Sequence, residues 1–198
     1  MTRQVWIAFL ALSCLLSLGC KEDYTSPVGP AVTEPGTSAS SALEALGPSN
    51  LKGPVENFVA PLSGDQEVPP VGTRARGLAK FQLKNGDEMS YHLNVSRLDG
   101  VIQSHIHCGE QGVNGPVVVF LFGPAPSGVT AKGRLASGII TPGDVIARPD
   151  SAACPGGIAN FDDLLQKMRD GETYVNVHTL AFPGGEIRGQ IDRGNGVN

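Results

Sequence analysis

Charged residues are scarce in this chain of 198 residues, and the few that occur are scattered. Lys, Arg, Asp and Glu together account for 17% of the sequence, the formal net charge is −4, and no run of basic residues is present. Because a basic cluster is the usual signature of a nucleic-acid-binding domain, we expect no nucleic-acid partner. The chain also lacks a recognisable nucleophile elbow and a phosphate-binding loop. These absences favour a non-catalytic role without excluding an enzyme of another kind.

Glycine and proline, in contrast, are abundant, with 26 and 15 residues, and 40% of the residues are hydrophobic. Many turn-forming residues and few charges are typical of short strands joined by loops. About eight segments alternate between apolar and polar residues, which predicts an all-β fold, an antiparallel Greek-key sandwich or barrel. One short α-helix is predicted at about residues 160–170, because Asn160 can cap its start and Gly171 can end it.

Residues 1–19 have the features of an export signal rather than of a folded element. Arg3 precedes an apolar run at 5–18 that is too short for a typical membrane-spanning helix. The run ends in SLGC, which resembles the cleavage site of a bacterial lipoprotein with Cys20 as the lipidated residue. We therefore expect an outer-membrane lipoprotein of the bacterial cell envelope, and the acidic residues after Cys20 resemble a signal for the cell surface. A plain secretory signal is the alternative.

The rest of the chain divides by composition into a linker, a folded region and a short end. Residues 20–55 are rich in Ser, Pro and Gly, which predicts a flexible tether between the lipid and the domain. Residues 56–193 carry the alternating segments and are predicted to form one domain. Residues 194–198 are expected to be a tail.

Within the domain several short motifs follow one another: LSGDQEVPP at 62–70, HIHCG at 105–109, GVNGPVV at 112–118, YVNVHT at 174–179 and GEIRGQI at 185–191. In this order they resemble the signatures of the CHRD domain, the module named after chordin. The resemblance covers the whole predicted domain and implies a β-sandwich in an extracellular setting. It implies no established enzymatic activity. Animal chordin binds growth factors, and that partner does not carry over to a bacterial lipoprotein.

Three histidines are candidate metal ligands. His105 and His107 lie two residues apart in an alternating segment, so their side chains project to the same face of a strand. Such a pair is a common arrangement for copper or zinc, and His178, on the polar side of another predicted strand, is the natural third ligand. Glu186 or water would fill the fourth position. We predict one Cu or Zn ion; the alternative is that the histidines are ordinary polar residues that hydrogen-bond to loops.

The histidine pattern is similar to the copper ligands of copper–zinc superoxide dismutase, another β-sandwich. The likeness is partial, because the chain has only 4 histidines and so excludes a two-metal site with that ligand set. Our leading hypothesis is a lipid-anchored extracytoplasmic module that binds a metal or an unidentified protein without catalysis. The rivals are a copper-dependent redox enzyme and a purely structural envelope protein.

Two further pairings are predicted from residue type and position. Cys108 and Cys154 remain once Cys20 is assigned to lipid, and an even pair in an oxidising compartment predicts a disulfide. The alternative is that Cys108 is a metal ligand. Glu186 and Arg188 share a face of a predicted strand, so we expect a structural ion pair between them or with Glu67.

Overall fold

The computed structural model describes residues 55–84 and 86–194. The predicted signal at 1–19, the lipidation site Cys20, nearly all of the tether and most of the tail lie outside these residues. No helix in the described part of the chain is long and apolar enough to cross a membrane.

The described residues form eight β-strands and one α-helix, with single turns of 3-10 helix at Gly64–Gln66 and Pro142–Asp144. The all-β prediction with one short helix is confirmed. The elements, in chain order, are β1 (Glu56–Ser63), β2 (Arg76–Lys84), β3 (Glu88–Cys108), β4 (Val117–Phe122), β5 (Val129–Ile140), α1 (Phe161–Arg169), β6 (Thr173–Thr179), β7 (Ile187–Gln190) and β8 (Asp192–Arg193).

The strands form one antiparallel sheet that closes on itself like a barrel. The long strand β3 makes the closure, since its first half pairs with β2 and its second half pairs with β6. Three further pairings close the sheet: β6 pairs with β7, β7 pairs with β1, and β1 pairs with β2. Strands β4 and β5 pair with the free edges of the two halves of β3, and β8 pairs with β1.

Alternation along the strands fills the interior. In β2 and the first half of β3 every second residue is buried and apolar, whereas the residues between them are mostly exposed. The second half of β3 and all of β6 differ, because both faces of these segments are buried. One face packs on the apolar core, and the other carries polar side chains beneath loops.

Helix α1 begins as predicted, with the Asn160 side chain accepting a hydrogen bond from the backbone of Asp163 at 3.0 Å. Its apolar face, consisting of Phe161, Leu164, Leu165 and Met168, is buried. The helix ends at Arg169, and Gly171 follows with φ of +71°, a conformation that favours glycine.

Candidate metal centre

Strands β3 and β6 bring the three predicted histidines together. Pairing of the strands places His105 beside Asn176 and Gln103 beside His178, so the histidines share the polar face. Each of His105, His107 and His178 offers a ring nitrogen, and these nitrogens all lie within 4.8 Å of one another. The fourth histidine, His92, is exposed and stands apart from this group.

Backbone carbonyls fix the tautomers of two of the three rings. His107 Nδ1 lies 2.9 Å from the carbonyl oxygen of Gly115, and His178 Nδ1 lies 2.9 Å from that of Pro183. A carbonyl can only accept, so each neutral ring must carry its proton on Nδ1 and leave Nε2 unprotonated. Nε2 of His107 has no hydrogen-bond partner, whereas Nε2 of His178 accepts a hydrogen bond from Nδ1 of His105. Histidines usually bind metals in this arrangement, in which the ring nitrogen that does not contact the metal donates a hydrogen bond.

Burial keeps these rings neutral. Removal from water, together with the neighbouring His178 and His107, lowers the pKa of His105 to about 3. Burial also lowers the pKa of His107 to about 4, against the opposing hydrogen bond to Gly115. The pKa of His178 is lowered for the same reason. At neutral pH all three imidazoles therefore present lone pairs without competition from protons.

The spacing of the nitrogens suits a single ion. Nδ1 of His105 donates a hydrogen bond to Nε2 of His178 at 3.2 Å, and an ion bound by both atoms would replace this bond and leave the His105 proton on Nε2. Two imidazole nitrogens bound tetrahedrally at 2.0–2.1 Å would be separated by about 3.3 Å. Nε2 of His105 and Nε2 of His107 are buried and have no hydrogen-bond partner within the described structure. The donor set therefore fits one copper or zinc ion at the level of both atom type and distance.

Aromatic side chains hold the rings in place. His107 stacks on Tyr174 with centroids 4.7 Å apart and the planes 9° from parallel. Phe120, which is half exposed, meets His105 edge-on at 4.5 Å. The guanidinium of Arg188 lies 3.4 Å from the centre of the Tyr174 ring. Aromatic side chains thus pack against two of the three histidines, and Phe120 forms an apolar edge that faces solvent.

The model of the CHRD domain family matches residues 58–191 of the chain. The chain belongs to the CHRD domain family. This match spans the closed sheet and every candidate ligand. No curated protein and no solved structure matches the chain.

In this CHRD domain Glu186 is not placed as a fourth ligand. Its two carboxylate oxygens accept hydrogen bonds from the hydroxyls of Thr73 and Thr179, both at 2.8 Å. The carboxylate is therefore engaged with threonines and lies outside the cluster of the three histidines. Three histidines therefore remain as candidate ligands.

The predicted ion pairs among Glu67, Glu186 and Arg188 do not form; the ion pairs within the described residues are Lys167–Glu172 and Arg169–Glu56. Arg188 is fully buried and instead donates to Asn114 and to backbone carbonyls of the loop at 110–113. Glu67 accepts two hydrogen bonds from Asn176. The physical reason is the covering loop, whose carbonyls surround the guanidinium and satisfy it before any carboxylate does.

Cys108 and Cys154 form the predicted disulfide, with their Cα atoms 5.4 Å apart. It joins the end of β3 to the loop before α1. Next to it Gly115 passes so close to the Cys108 carbonyl that a Cβ at this position would collide with the backbone. The carbonyl that orients His107 is therefore held by a tight backbone contact and by the disulfide together.

Several contributors to the site were not predicted from the sequence. The orienting carbonyls of Gly115 and Pro183 lie in Gly-Pro and Pro-Gly-Gly turns, whose composition marks a turn and not its hydrogen bonds. Arg148 was also missed: its Nε donates to the Val117 carbonyl at 2.6 Å, next to His107 in the sheet. No sequence signal links position 148 to the histidines.

Proposed function

We propose that this CHRD domain is a non-catalytic binding module that holds one transition-metal ion, copper or zinc, through His105, His107 and His178. One observation carries the proposal: three converging imidazoles, two of them fixed by carbonyls so that Nε2 is unprotonated. A buried acceptor without a partner costs about 1–3 kcal/mol. Nε2 of His105 and Nε2 of His107 are two such atoms, and an electrophile bound in the cluster would offset this cost.

Nitrogen-rich donor sets favour copper and zinc over magnesium or calcium, which prefer oxygen. The neutral histidines carry no charge to offset a dication, so the ion would retain its positive charge and attract an anionic or water ligand. Three protein ligands leave a coordination position open. That open position supports the second candidate function, a copper-dependent redox enzyme.

We also propose that the domain acts outside the cytoplasm, tied to the bacterial envelope by lipid on Cys20. The support is the signal-like segment at 1–19 and the tether that follows it. An extracytoplasmic location agrees with the disulfide between Cys108 and Cys154, since such bonds persist in oxidising compartments.

Calorimetric titration of the purified protein with Cu(II) and with Zn(II) tests the metal site. We expect one ion per chain, a strong loss of affinity in His107→Ala, and unchanged affinity in His92→Ala, the matched control on the outer face. Absence of uptake, or equal loss in both variants, contradicts the proposal. If copper binds, a superoxide dismutation assay separates the binding module from the redox enzyme.

A further inference from the structure

The outer face of β2, β3 and β5 is unusually basic for this acidic protein. In β2 the buried residues are Ala79, Phe81 and Leu83, so Arg76 and Lys80 point outward. In β5 Lys132 and Arg134 are exposed on either side of Gly133. Arg97 adds a cation at the end of this surface. Its φ of +59° interrupts the regular alternation of side chains along β3.

These cations are not balanced locally. Residues 55–194 contain twelve lysines and arginines against fifteen aspartates and glutamates, yet six of the twelve, Lys84 included, lie on this one face. Three acidic residues lie beside these cations: Glu88 is opposite Lys84 at the far end, and Asp65 is close enough to Arg76 for the two charges to interact. Asp99 accepts a hydrogen bond from the hydroxyl of Thr130 and keeps its charge. The ion pairs of the described residues, Lys167–Glu172 and Arg169–Glu56, lie elsewhere.

Strand register arranges the cations in two rows. Arg76 and Lys80 lie along β2, about 13 Å apart, and Arg134 and Lys132 lie along β5. The rows are two strand spacings apart, about 10 Å, with β3 between them. From β3 the side chains of His92, Asn94 and Ser96 face outward.

We propose that this basic trough, defined by Arg76, Lys80, Arg97, Lys132 and Arg134 around β3, binds a linear acidic polysaccharide. A single sugar chain laid along β3 would have a row of cations on each side, and its carboxylates or sulfates would meet both rows. Its hydroxyls would meet the amide, imidazole and hydroxyl groups of β3. Two surface depressions, of about 280 and 600 Å³, meet at Ser96 and continue the trough beyond β3.

Other polyanions fit less well. A DNA duplex is about twice as wide as the space between the rows, and its grooves admit a helix or ribbon rather than the face of a sheet. Single-stranded nucleic acid is usually bound by stacking on aromatic side chains. On the outer face of β2, β3 and β5 the described residues present no Trp, Tyr or Phe free to stack, since Phe81 is buried and Tyr91 packs against the core, which leaves His92 as the exposed ring.

The test uses the full-length protein and a fluorescent polygalacturonate oligosaccharide, followed by anisotropy in EDTA so that the metal site plays no part. We expect binding that weakens between 50 and 300 mM NaCl, because salt screens exposed charges, and no binding of neutral dextran. Arg134→Ser and Lys80→Ser should each reduce affinity about fivefold, the loss of one charged contact. The control is Arg193→Ser, which removes the same charge on β8.

The inference is overturned if polygalacturonate does not bind, or if Arg193→Ser weakens binding as much as the trough variants do. Equal loss would show an effect of total charge. Tighter binding of single-stranded DNA or of phosphatidylglycerol vesicles through the same residues would also overturn it, because the trough would then serve a different class of partner.

Discussion

The buried carboxyl of Glu67, which is hydrogen-bonded to Asn176, makes a testable contribution to the pH dependence of stability. Its side chain is 5% exposed, and both oxygens accept from the amide of Asn176 at 3.1 Å. Burial raises the pKa of this carboxyl to about 7, although the charge of Arg188 and the hydrogen bond from Asn176 pull it down. Loss of water around the carboxylate therefore outweighs both favourable contacts.

The sign of the pH effect follows from this pKa. The unfolded carboxyl has its ordinary pKa of 4.5, so the folded protein binds this proton more tightly than the unfolded chain does. The resulting stabilisation is complete below pH 4.5 and is lost as the pH rises to about 7. The gap between the two pKa values corresponds to about 3 kcal/mol of unfolding free energy.

Glu67→Gln removes this titration and keeps a similar shape. Urea unfolding in EDTA at pH 5 and pH 8 should show the variant gaining stability relative to wild type by up to about 3 kcal/mol at the higher pH. Glu88→Gln, at an exposed position, is the control and should show little such difference. A wild-type-minus-variant difference that is the same at both pH values would refute the reasoning.

Three further predictions concern the cysteines and the loop over the histidines. Cys154→Ser should lower the free energy of unfolding by about 4 kcal/mol, since the disulfide closes a separation of 46 residues; two free thiols in the unreduced, unfolded wild-type protein would contradict this. Cys20→Ser should move the protein from the membrane fraction to the soluble fraction, and unchanged fractionation would exclude the lipid anchor. Gly115→Ala should destabilise the protein and weaken metal binding, measured by thermal unfolding and calorimetry, because its Cβ meets the Cys108 carbonyl.

The histidine cluster was predictable because strand alternation is a local property. His105 and His107 share a face by their spacing alone, and His178 lies on the polar side of a strictly alternating segment. What alternation cannot supply is register, which decides whether β3 and β6 are neighbours at all. The hydrogen bonds from the histidines to the carbonyls of Gly115 and Pro183 could not be predicted for a similar reason, since they depend on how loops fold back over the sheet.

The prediction of an ion pair between Glu186 and Arg188 was wrong, because Arg188 binds a loop that is distant in the sequence. Glu186 and Arg188 do lie two residues apart, but Arg188 extends beneath the loop at 110–114 and Glu186 turns toward two threonines. A buried guanidinium needs several acceptors, and this loop provides three, the carbonyls of Glu110 and Val113 and the side-chain oxygen of Asn114. For buried polar residues, spacing in the sequence is therefore a weak predictor of the hydrogen-bond partner.

The clustering of charges in the basic trough could not be predicted from the sequence either. Arg76, Lys80, Lys132 and Arg134 are separated by as many as 58 positions, so no window of the sequence appears basic, and the net charge is negative. Register joins them, because β3 pairs with β2 on one side and β5 on the other over the same residues. Coulomb interactions depend on distance in space, and a partner that approaches one face responds to the charges on that face. For this CHRD domain the sign of the total charge therefore does not determine the sign of the partner.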